Sequence, residues 1–210
     1  MFITFEGIEG CGKTTQIKRF VERLEHESGV QLVKTFEPGG TEIGSRIRKI
    51  LLDSRNKNLS HIAELMLYAA DRAQHIEEII LPALEKGKWV VCDRFYDATV
   101  AYQGTARGMD MELIHLLNDK VMRGVKPDLT LLLDCPVETG LARALERNKL
   151  SMEGQDRFER EKLDFHQKVR SGYLELADRY QERFIIIDAA QTQDEVEKEI
   201  YQAVRPYVGK

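Results

Sequence analysis

Residues 7 to 14 read Gly7-Ile8-Glu9-Gly10-Cys11-Gly12-Lys13-Thr14: a glycine, four variable residues, and then Gly-Lys-Thr. This spacing is typical of a loop whose backbone N–H groups surround phosphate. The mostly apolar run Phe2–Glu6 before it predicts a buried strand, and residues 15–27 after it have helical apolar spacing. A strand, a glycine-rich turn and a helix N-terminus together form an anion cradle. The pattern predicts that Lys13 reaches the β- and γ-phosphates of a nucleotide and that the Thr14 hydroxyl binds Mg²⁺.

Length and charge narrow the class of protein. The chain has 210 residues and a net charge of −4, from 31 Lys and Arg against 35 Asp and Glu. This length suits one α/β domain over residues 1–210. A nucleic-acid surface would be basic, so we expect no nucleic-acid partner. No apolar run reaches the ~20 residues of a membrane helix, and three cysteines without metal-ligand spacing favour the reducing cytoplasm.

Apolar runs alternate with amphipathic segments along the whole chain. The predicted strands are residues 2–6, 32–36, 89–93, 129–134 and 184–188. The predicted helices are residues 15–27, 42–52, 60–86, 111–122, 137–146, 158–180 and 192–207. This alternation predicts an α/β fold with a five-stranded parallel sheet covered by helices on both faces. In such sheets ligands lie beyond the carboxyl ends of the strands.

Polar residues follow the second and third strands. Residues 37–41 read Glu-Pro-Gly-Gly-Thr, a turn in which Thr41 can cap the next helix, and Arg48 lies on that helix. Arg48 has two interpretations, a solvated helix face or a cation aimed back at the cleft. Asp93 and Arg94 come directly after the third strand, where they predict a Mg²⁺-directed acid and a phosphate donor.

Two further pairs could contact a nucleobase. Tyr68 and Arg72 are four residues apart, so on a helix they share one face. A core tyrosine beside a surface arginine explains the same spacing, and spacing alone favours that alternative. Tyr102 and Gln103 supply a ring and an amide, a weak signal by itself.

Residues 147–157 are polar, irregular and bracketed by arginines. This composition suits a mobile lid, and a solvated connector is the alternative. The five histidines are scattered and receive no chemical role: His26, His61, His75, His115 and His166.

In their order along the chain, these segments resemble the thymidylate kinase family. The residues that carry the resemblance are residues 5–15, Glu37-Pro38-Gly39-Gly40-Thr41, Asp93-Arg94-Phe95, Ala101-Tyr102-Gln103-Gly104, and Pro127-Asp128-Leu129-Thr130 before Asp134. The phosphate loop is common to many families, whereas the Glu-Pro-Gly-Gly-Thr turn with Ala-Tyr-Gln-Gly is far more specific. The resemblance implies a P-loop NTPase fold and transfer of the γ-phosphoryl group of ATP to dTMP with Mg²⁺.

The resemblance also implies roles for individual residues. ATP would be bound by the loop, namely Gly7, Ile8, Glu9, Gly10, Cys11, Gly12, Lys13, Thr14 and Thr15, and the metal by Thr14 and Asp93. The acceptor would be bound by Glu9, Glu37, Arg48, Tyr68, Arg72, Arg94, Thr99, Tyr102 and Gln103. Within that set Glu9 would meet the sugar 3′-hydroxyl, Arg48 and Arg94 would clamp the phosphate, and Tyr102 would lie under the sugar. Tyr68 would stack on thymine, and Arg72 and Gln103 would read it.

Family members place a catalytic arginine either in the phosphate loop or in the lid. The loop has none here, so the chain resembles the lid-arginine subclass, with Arg143, Arg147 and Arg157 as candidates in a lid of about residues 143–157. Two departures from the family pattern are Phe36, where Arg is common, and Ala98, where many members have Ser. The family resemblance further implies a homodimer.

Three alternatives remain at this point. Another nucleoside monophosphate kinase would share the loop but read a different base. A GTPase switch would show Asn-Lys-x-Asp after a strand, whereas Asn148-Lys149-Leu150-Ser151 follows a helix and lacks the carboxylate. A nucleotide-binding regulator would bind without turnover.

Overall fold

The structure is a computed structural model that describes residues 1–150 and 157–208. Five parallel strands form one sheet in the order β2-β3-β1-β4-β5. They are β1 (Phe2–Glu6), β2 (Leu32–Phe36), β3 (Trp89–Asp93), β4 (Leu129–Asp134) and β5 (Phe184–Asp188). All five strands have the predicted bounds. Phe5 and Phe36 both pair with Asp93, so the ends of β1, β2 and β3 lie side by side at one edge.

Helices connect the strands. They are α1 (Lys13–Ser28), α2 (Glu42–Leu52), α3 (His61–His75), α4 (Leu81–Glu85), α5 (Tyr96–Thr99), α6 (Met111–Met122), α7 (Val137–Leu150), α8 (Leu163–Arg179) and α9 (Gln193–Val204). A π-helical turn at Ile76–Ile80 joins α3 to α4, so the helix predicted over residues 60–86 has a widened turn inside it. A second π-helix, Val100–Ala106, continues α5.

Both faces of the sheet are covered, as the apolar strands predicted. In β3, Val91 belongs to an apolar cluster that includes Phe20 of α1, whereas its neighbour Val90 belongs to a second cluster with Ile80. Successive strand residues point to opposite faces. Burial of both residues therefore requires helices above and below the sheet.

Local capping fixes the start of α2. The Thr41 side chain accepts a hydrogen bond from the Gly44 backbone N–H at 2.9 Å, which confirms the predicted cap. The cap ties α2 to the end of the turn that follows β2, and this places Arg48 over the edge of the sheet.

Two predicted helix boundaries were wrong by four residues or more. Helix α7 extends to Leu150, so Arg147 is helical rather than part of an irregular segment. Helix α8 begins at Leu163 instead of 158, because Phe158 packs from the preceding turn against the Tyr102 ring, with centroids 5.5 Å apart. The helical stretch Tyr96–Ala106 was not predicted. Within residues 1–150 and 157–208, no helix has the length and apolar character needed to cross a membrane.

Candidate active site

The turn between β1 and α1 is a loop that requires glycine at two positions. Gly7 and Gly10 have φ angles of 134° and 69°, in the region that residues with side chains disfavour. A Cβ at Gly7 would lie 2.5 Å from the Leu133 carbonyl oxygen, and one at Gly10 would lie 1.9 Å from the Gly140 carbonyl oxygen. The loop therefore packs tightly against β4 and α7.

The first turn of α1 places a cation and a hydroxyl at this loop. Lys13 Nζ donates to the carbonyl oxygens of Gly7 and Ile8 at 3.0 and 2.9 Å. Thr14 Oγ1 donates to Asp93 Oδ2 at 3.1 Å, which joins α1 to the end of β3. Hydroxyl and carboxylate oxygens are the ligand type that Mg²⁺ prefers. This donor set fits a divalent cation that accompanies nucleotide phosphates.

Beyond the carboxyl ends of the strands lies a cleft of about 450 Å³. The residues predicted for the site that line it are Glu9, Gly10, Lys13, Thr14, Glu37, Arg48, Tyr68, Arg72, Asp93, Arg94, Thr99, Tyr102, Gln103 and Arg147. Those outside its lining are Gly7, Ile8, Cys11, Gly12, Thr15, Arg143 and Arg157. The phosphate loop and the predicted base-reading residues therefore face one cavity.

Arg94 is held at the centre of the cleft by a constrained backbone and two side chains. Its φ angle is 66°, which is unusual for a residue with a side chain. Its guanidinium donates to Glu9 Oε1 at 3.1 Å and to the Tyr173 hydroxyl at 3.0 Å, and it lies 5.0 Å from the Tyr102 ring centroid. Residues with a strained backbone of this kind concentrate at functional sites, where the surrounding contacts hold them in that conformation.

The Glu9 carboxylate contacts Arg94, Tyr102 and His166 and holds them together. Its Oε1 accepts from both Arg94 and the Tyr102 hydroxyl, and its Oε2 lies 3.3 Å from His166 Nδ1. Burial raises the pKa of Glu9, but His166, Arg94 and Tyr102 together outweigh burial and lower the pKa to about 2. Glu9 is therefore an anion throughout the physiological pH range.

Behind Arg94 lies a second carboxylate, Glu6, which is fully buried. It accepts from the Tyr173 hydroxyl and from the Phe95 backbone N–H, both at 2.7 Å. Burial, with the negative charge of Asp97, raises the pKa of Glu6 to about 8. Glu6 and Tyr173 were not among the predicted residues, although the position of Glu6 at a strand end is the signal that identified Asp93.

Arg72 is buried rather than on the surface, so the structure overturns the alternative that spacing favoured. It is 1% exposed and donates to Glu37 Oε2, Asn118 Oδ1 and Thr99 Oγ1, each at 2.9 Å. The second oxygen of Glu37 contacts His75 Nδ1 at 2.9 Å. Both Glu37 oxygens therefore have protein partners, and Glu37 serves to orient Arg72.

The far wall of the cleft carries Arg48 and Tyr68. Arg48 donates to the Pro38 carbonyl oxygen at 2.8 Å and lies 5.6 Å from the Phe36 ring centroid. Burial lowers the pKa of the Arg48 guanidinium, and burial with the charge of Glu64 raises the pKa of the Tyr68 hydroxyl. Phe36 thus packs beside the predicted phosphate clamp.

The three candidate lid arginines have different surroundings. Arg147 lines the cleft and donates to Glu159 Oε1 at 3.2 Å. Arg143 donates to a backbone carbonyl at 3.4 Å, away from the lining. Arg157 donates to Glu64 Oε2 at 2.6 Å. Residues 151–156 of the predicted lid lie outside the described residues.

Asp71 gives a prediction about pH and stability. It is 1% exposed, and its Oδ1 accepts from the Gly39 backbone N–H at 2.9 Å. Burial and the charge of Glu37 raise the pKa of Asp71 from 3.8 to about 6. Between about pH 4 and pH 6 the folded state therefore holds a proton that the unfolded state has lost. The free energy of unfolding falls by about 3 kcal/mol as pH rises through this window.

We expect Asp71→Asn to remove this loss, because the amide keeps the oxygen that accepts from Gly39 and carries no charge. The midpoint of thermal unfolding of the variant should match that of the parent near pH 4 and exceed it near pH 7.5. A shift of equal size at both pH values would contradict the assignment to Asp71.

The sheet order, the loop after β1 and the hydroxyl–carboxylate pair at Thr14 and Asp93 define a P-loop nucleotide-binding protein. A sequence model of the thymidylate kinase family matches residues 5–200. The chain belongs to the thymidylate kinase family.

Curated relatives and a solved structure agree with this assignment. The chain is 56% identical over 190 residues to a thymidylate kinase of Citrifermentans bemidjiense, covering 90% of this chain and 84% of the relative. It is 52% identical over 212 residues to one of Desulforapulum autotrophicum, covering 100% and 92%. A crystal structure of thymidylate kinase from Ehrlichia chaffeensis superposes with a TM-score of 0.79 at 34% identity, covering 97% of this chain and 98% of that one.

Proposed function

We propose that the chain transfers the γ-phosphoryl group of ATP to the phosphate of dTMP, giving dTDP and ADP. The observation that carries this proposal is the shared cleft, because the phosphate loop and the Arg72–Gln103 pair line one cavity of about 450 Å³. That volume is in the range of small-molecule sites. A donor nucleotide at the loop and an acceptor base at the far wall would bring their phosphates together between Lys13 and Arg94.

On the donor side, the backbone N–H groups of the loop and the Lys13 ammonium bind the ATP phosphates. Mg²⁺, for which Thr14 and Asp93 are the proposed ligands, would neutralise charge on those phosphates. Thr14 and Asp93 already lie within hydrogen-bond distance, so little rearrangement of these side chains is needed.

On the acceptor side, Arg48 and Arg94 hold the dTMP phosphate. Glu9 fixes the Arg94 guanidinium and meets the sugar 3′-hydroxyl, and the Tyr102 ring lies under the sugar, where it disfavours a 2′-hydroxyl. The support for this arrangement is that Glu9 bonds both Arg94 and Tyr102.

The reaction needs no general base. The acceptor is a phosphate monoester with a second pKa of about 6, so near pH 7 it is already mostly a dianion. The obstacle to phosphoryl transfer is the electrostatic repulsion between the two negatively charged nucleotides, ATP and dTMP. Cations held in position between their phosphates reduce this repulsion. The cation set proposed here is Lys13, Arg48, Arg94 and one arginine of the lid.

We assign the lid role to Arg147, because it lines the cleft whereas Arg143 and Arg157 do not. An arginine that reaches the transferring phosphoryl group contributes about 10³–10⁵ in rate in related reactions. Closure of the lid would exclude water, which otherwise accepts the phosphoryl group.

The base is read by Tyr68, which stacks on it, and by Arg72 and Gln103, with Thr99 adjacent. Thymine differs from uracil by one methyl group, worth about 1–3 kcal/mol in a pocket. Measurable turnover of dUMP is therefore expected.

We expect Arg72→Ala to raise the KM for dTMP by about 10²-fold, because a buried charged donor to the base is lost. The KM for ATP should stay within about twofold, since Arg72 lies away from the phosphate loop. The melting temperature will also fall, because Glu37 is left buried without its cation. Unchanged acceptor kinetics would rule out Arg72 as a base reader.

The test of the proposed function is a coupled assay of ADP formation from MgATP with dTMP, dUMP, AMP, CMP or no acceptor. Turnover should depend on dTMP, fall with dUMP and fall sharply with AMP and CMP. Turnover only with AMP would favour another nucleoside monophosphate kinase and would overturn the base-pocket roles.

We also propose a homodimer in the cytoplasm. Apolar side chains that are 42–56% exposed lie on α2, α3 and α6, namely Ile43, Ile50, Ile62, Met66 and Leu116, and such surfaces favour association. Light scattering of the purified chain should give twice the mass of one chain.

The proposed cytoplasmic location is supported by the cysteines. Cys11, Cys92 and Cys135 are free thiols, which suits a reducing compartment.

A further inference from the structure

We propose that Glu64 fixes the orientation of the Gln103 amide and thereby makes the site selective for a base that carries a hydrogen on N3. The inference rests on the proposed function, in which Gln103 faces the base of the acceptor. Glu64 does not line the cleft, so its role would be that of a positioning residue acting through Gln103.

The contact between the two side chains is buried. Glu64 on α3 is 0% exposed and Gln103 in the π-helix is 1% exposed. Gln103 Nε2 donates to Glu64 Oε1 at 2.8 Å. An unmade hydrogen bond at such a site would be strongly unfavourable, so the pair holds one arrangement.

Two arginines keep Glu64 ionised. Arg107 Nε donates to Glu64 Oε1 at 3.2 Å, and Arg157 donates to Oε2 at 2.6 Å. Burial raises the pKa of Glu64, but Gln103, Arg107 and Arg157 outweigh burial and hold the pKa below its usual value. An ionised carboxylate can only accept hydrogen bonds.

The charge of Glu64 therefore decides which end of the amide faces it. The reverse orientation would set the Gln103 amide oxygen against a carboxylate oxygen at 2.8 Å, with no proton between two acceptors. With the NH₂ group turned to Glu64, the carbonyl oxygen of Gln103 is the acceptor that this side chain offers to the cleft.

This acceptor distinguishes bases by the chemistry of N3. Thymine and uracil carry a hydrogen on N3 and can donate it to the Gln103 oxygen. Cytosine has a lone pair on N3, which the same oxygen repels. An analogue that cannot pair with the buried Gln103 oxygen leaves this polar group without a hydrogen bond, and sites built on such a bond reject the analogue strongly. A pocket that only recognises a methyl group rejects uracil far more weakly.

The probe is the deoxyribose monophosphate of 5-methyl-2-pyrimidinone, which keeps the methyl group of thymine but has a bare N3 and no 4-oxygen. We would measure the ratio of kcat/KM for dTMP to that for this analogue in the parent and in Glu64→Gln. The variant lets the Gln103 amide turn over, so the ratio should fall at least about tenfold. The missing 4-oxygen affects parent and variant alike and cancels in this comparison.

Glu161→Gln is the matched control. Glu161 pairs with Arg107 at 2.7 Å, so its replacement removes a carboxylate from the same arginine without contacting Gln103. The ratio should stay unchanged in this variant. A second control repeats Glu64→Gln in a Gln103→Met background, where the ratio should change less than twofold because no amide is left to orient.

The outcomes separate the two proposals. If the parent does not use dTMP, the proposed function fails. If dTMP is used and Glu64→Gln leaves the ratio unchanged, or changes it equally in the Gln103→Met background, the role of Glu64 is overturned. If Glu64→Gln does not fold, Glu64→Asp decides the question, because the shorter side chain keeps the negative charge but lengthens the contact to Gln103 Nε2. The ratio should then fall, and an unchanged ratio would overturn the role of Glu64.

Discussion

Replacement of Arg94 by Met is expected to lower kcat/KM for dTMP by about 10³-fold, the largest acceptor-side effect in the cleft. Arg94 is bonded by Glu9 and Tyr173 in a left-handed backbone conformation that aims it into the cavity. A neutral side chain there removes a preorganised cation and leaves the Glu9 carboxylate facing the acceptor phosphate. Steady-state kinetics with dTMP varied at saturating MgATP measure the effect.

Arg183→Met is the control for Arg94→Met. Arg183 also has a buried carboxylate partner, Asp97, and stacks on the Tyr96 ring, but it lies outside the cleft. This variant should lose stability and keep kcat/KM within a few-fold of the parent. Equal losses of activity in the two variants would mean that Arg94 acts through the fold and not on the phosphate.

The second large effect is expected for Lys13→Met, in which kcat should fall by about 10²–10³-fold. The Lys13 ammonium lies inside the loop, where two carbonyl oxygens and the helix N-terminus position it against ATP phosphates. The comparison variant is Lys34→Met, because Lys34 is exposed and lines the same cleft from β2. The net charge of both variants is the same.

Lys34→Met should change kcat by less than about threefold, since charge on the rim of a cleft is screened by water. If the two lysine variants lost the same activity, general cleft charge rather than the loop position would explain the result. A kcat of Lys13→Met within tenfold of the parent value would contradict the assignment of Lys13 to the ATP phosphates.

The strands were predictable because each is a nearly continuous apolar run bounded by polar turns. Glu6, Asp93 and Asp134 each end such a run, and the structure ends β1, β3 and β4 at these residues. The start of α2 was predictable for a local reason too, since Thr41 caps it from the turn. The stretch from 96 to 106 was not, because its α-helical part, Tyr96–Thr99, is only 4 residues long and the rest, Val100–Ala106, is a π-helix, which does not follow the 3.6-residue period.

The site was only partly predictable, because several of its side chains are positioned by residues that are distant in the sequence. The burial of Arg72 depends on Glu37, 35 residues away, and on Asn118, 46 residues away. Tyr173 and Glu6 are 167 residues apart when they meet behind Arg94. A histidine such as His166, buried beside Glu9, carries no motif that would have selected it from the other four.

Phosphoryl transfer from ATP to dTMP in this cleft can be followed directly through its products by ³¹P NMR. With MgATP and dTMP, ADP and dTDP should appear in equal amounts, and ATP should change little when dTMP is left out. Inorganic phosphate released at the same rate with and without dTMP, or no loss of ATP in either sample, would contradict the proposed transfer.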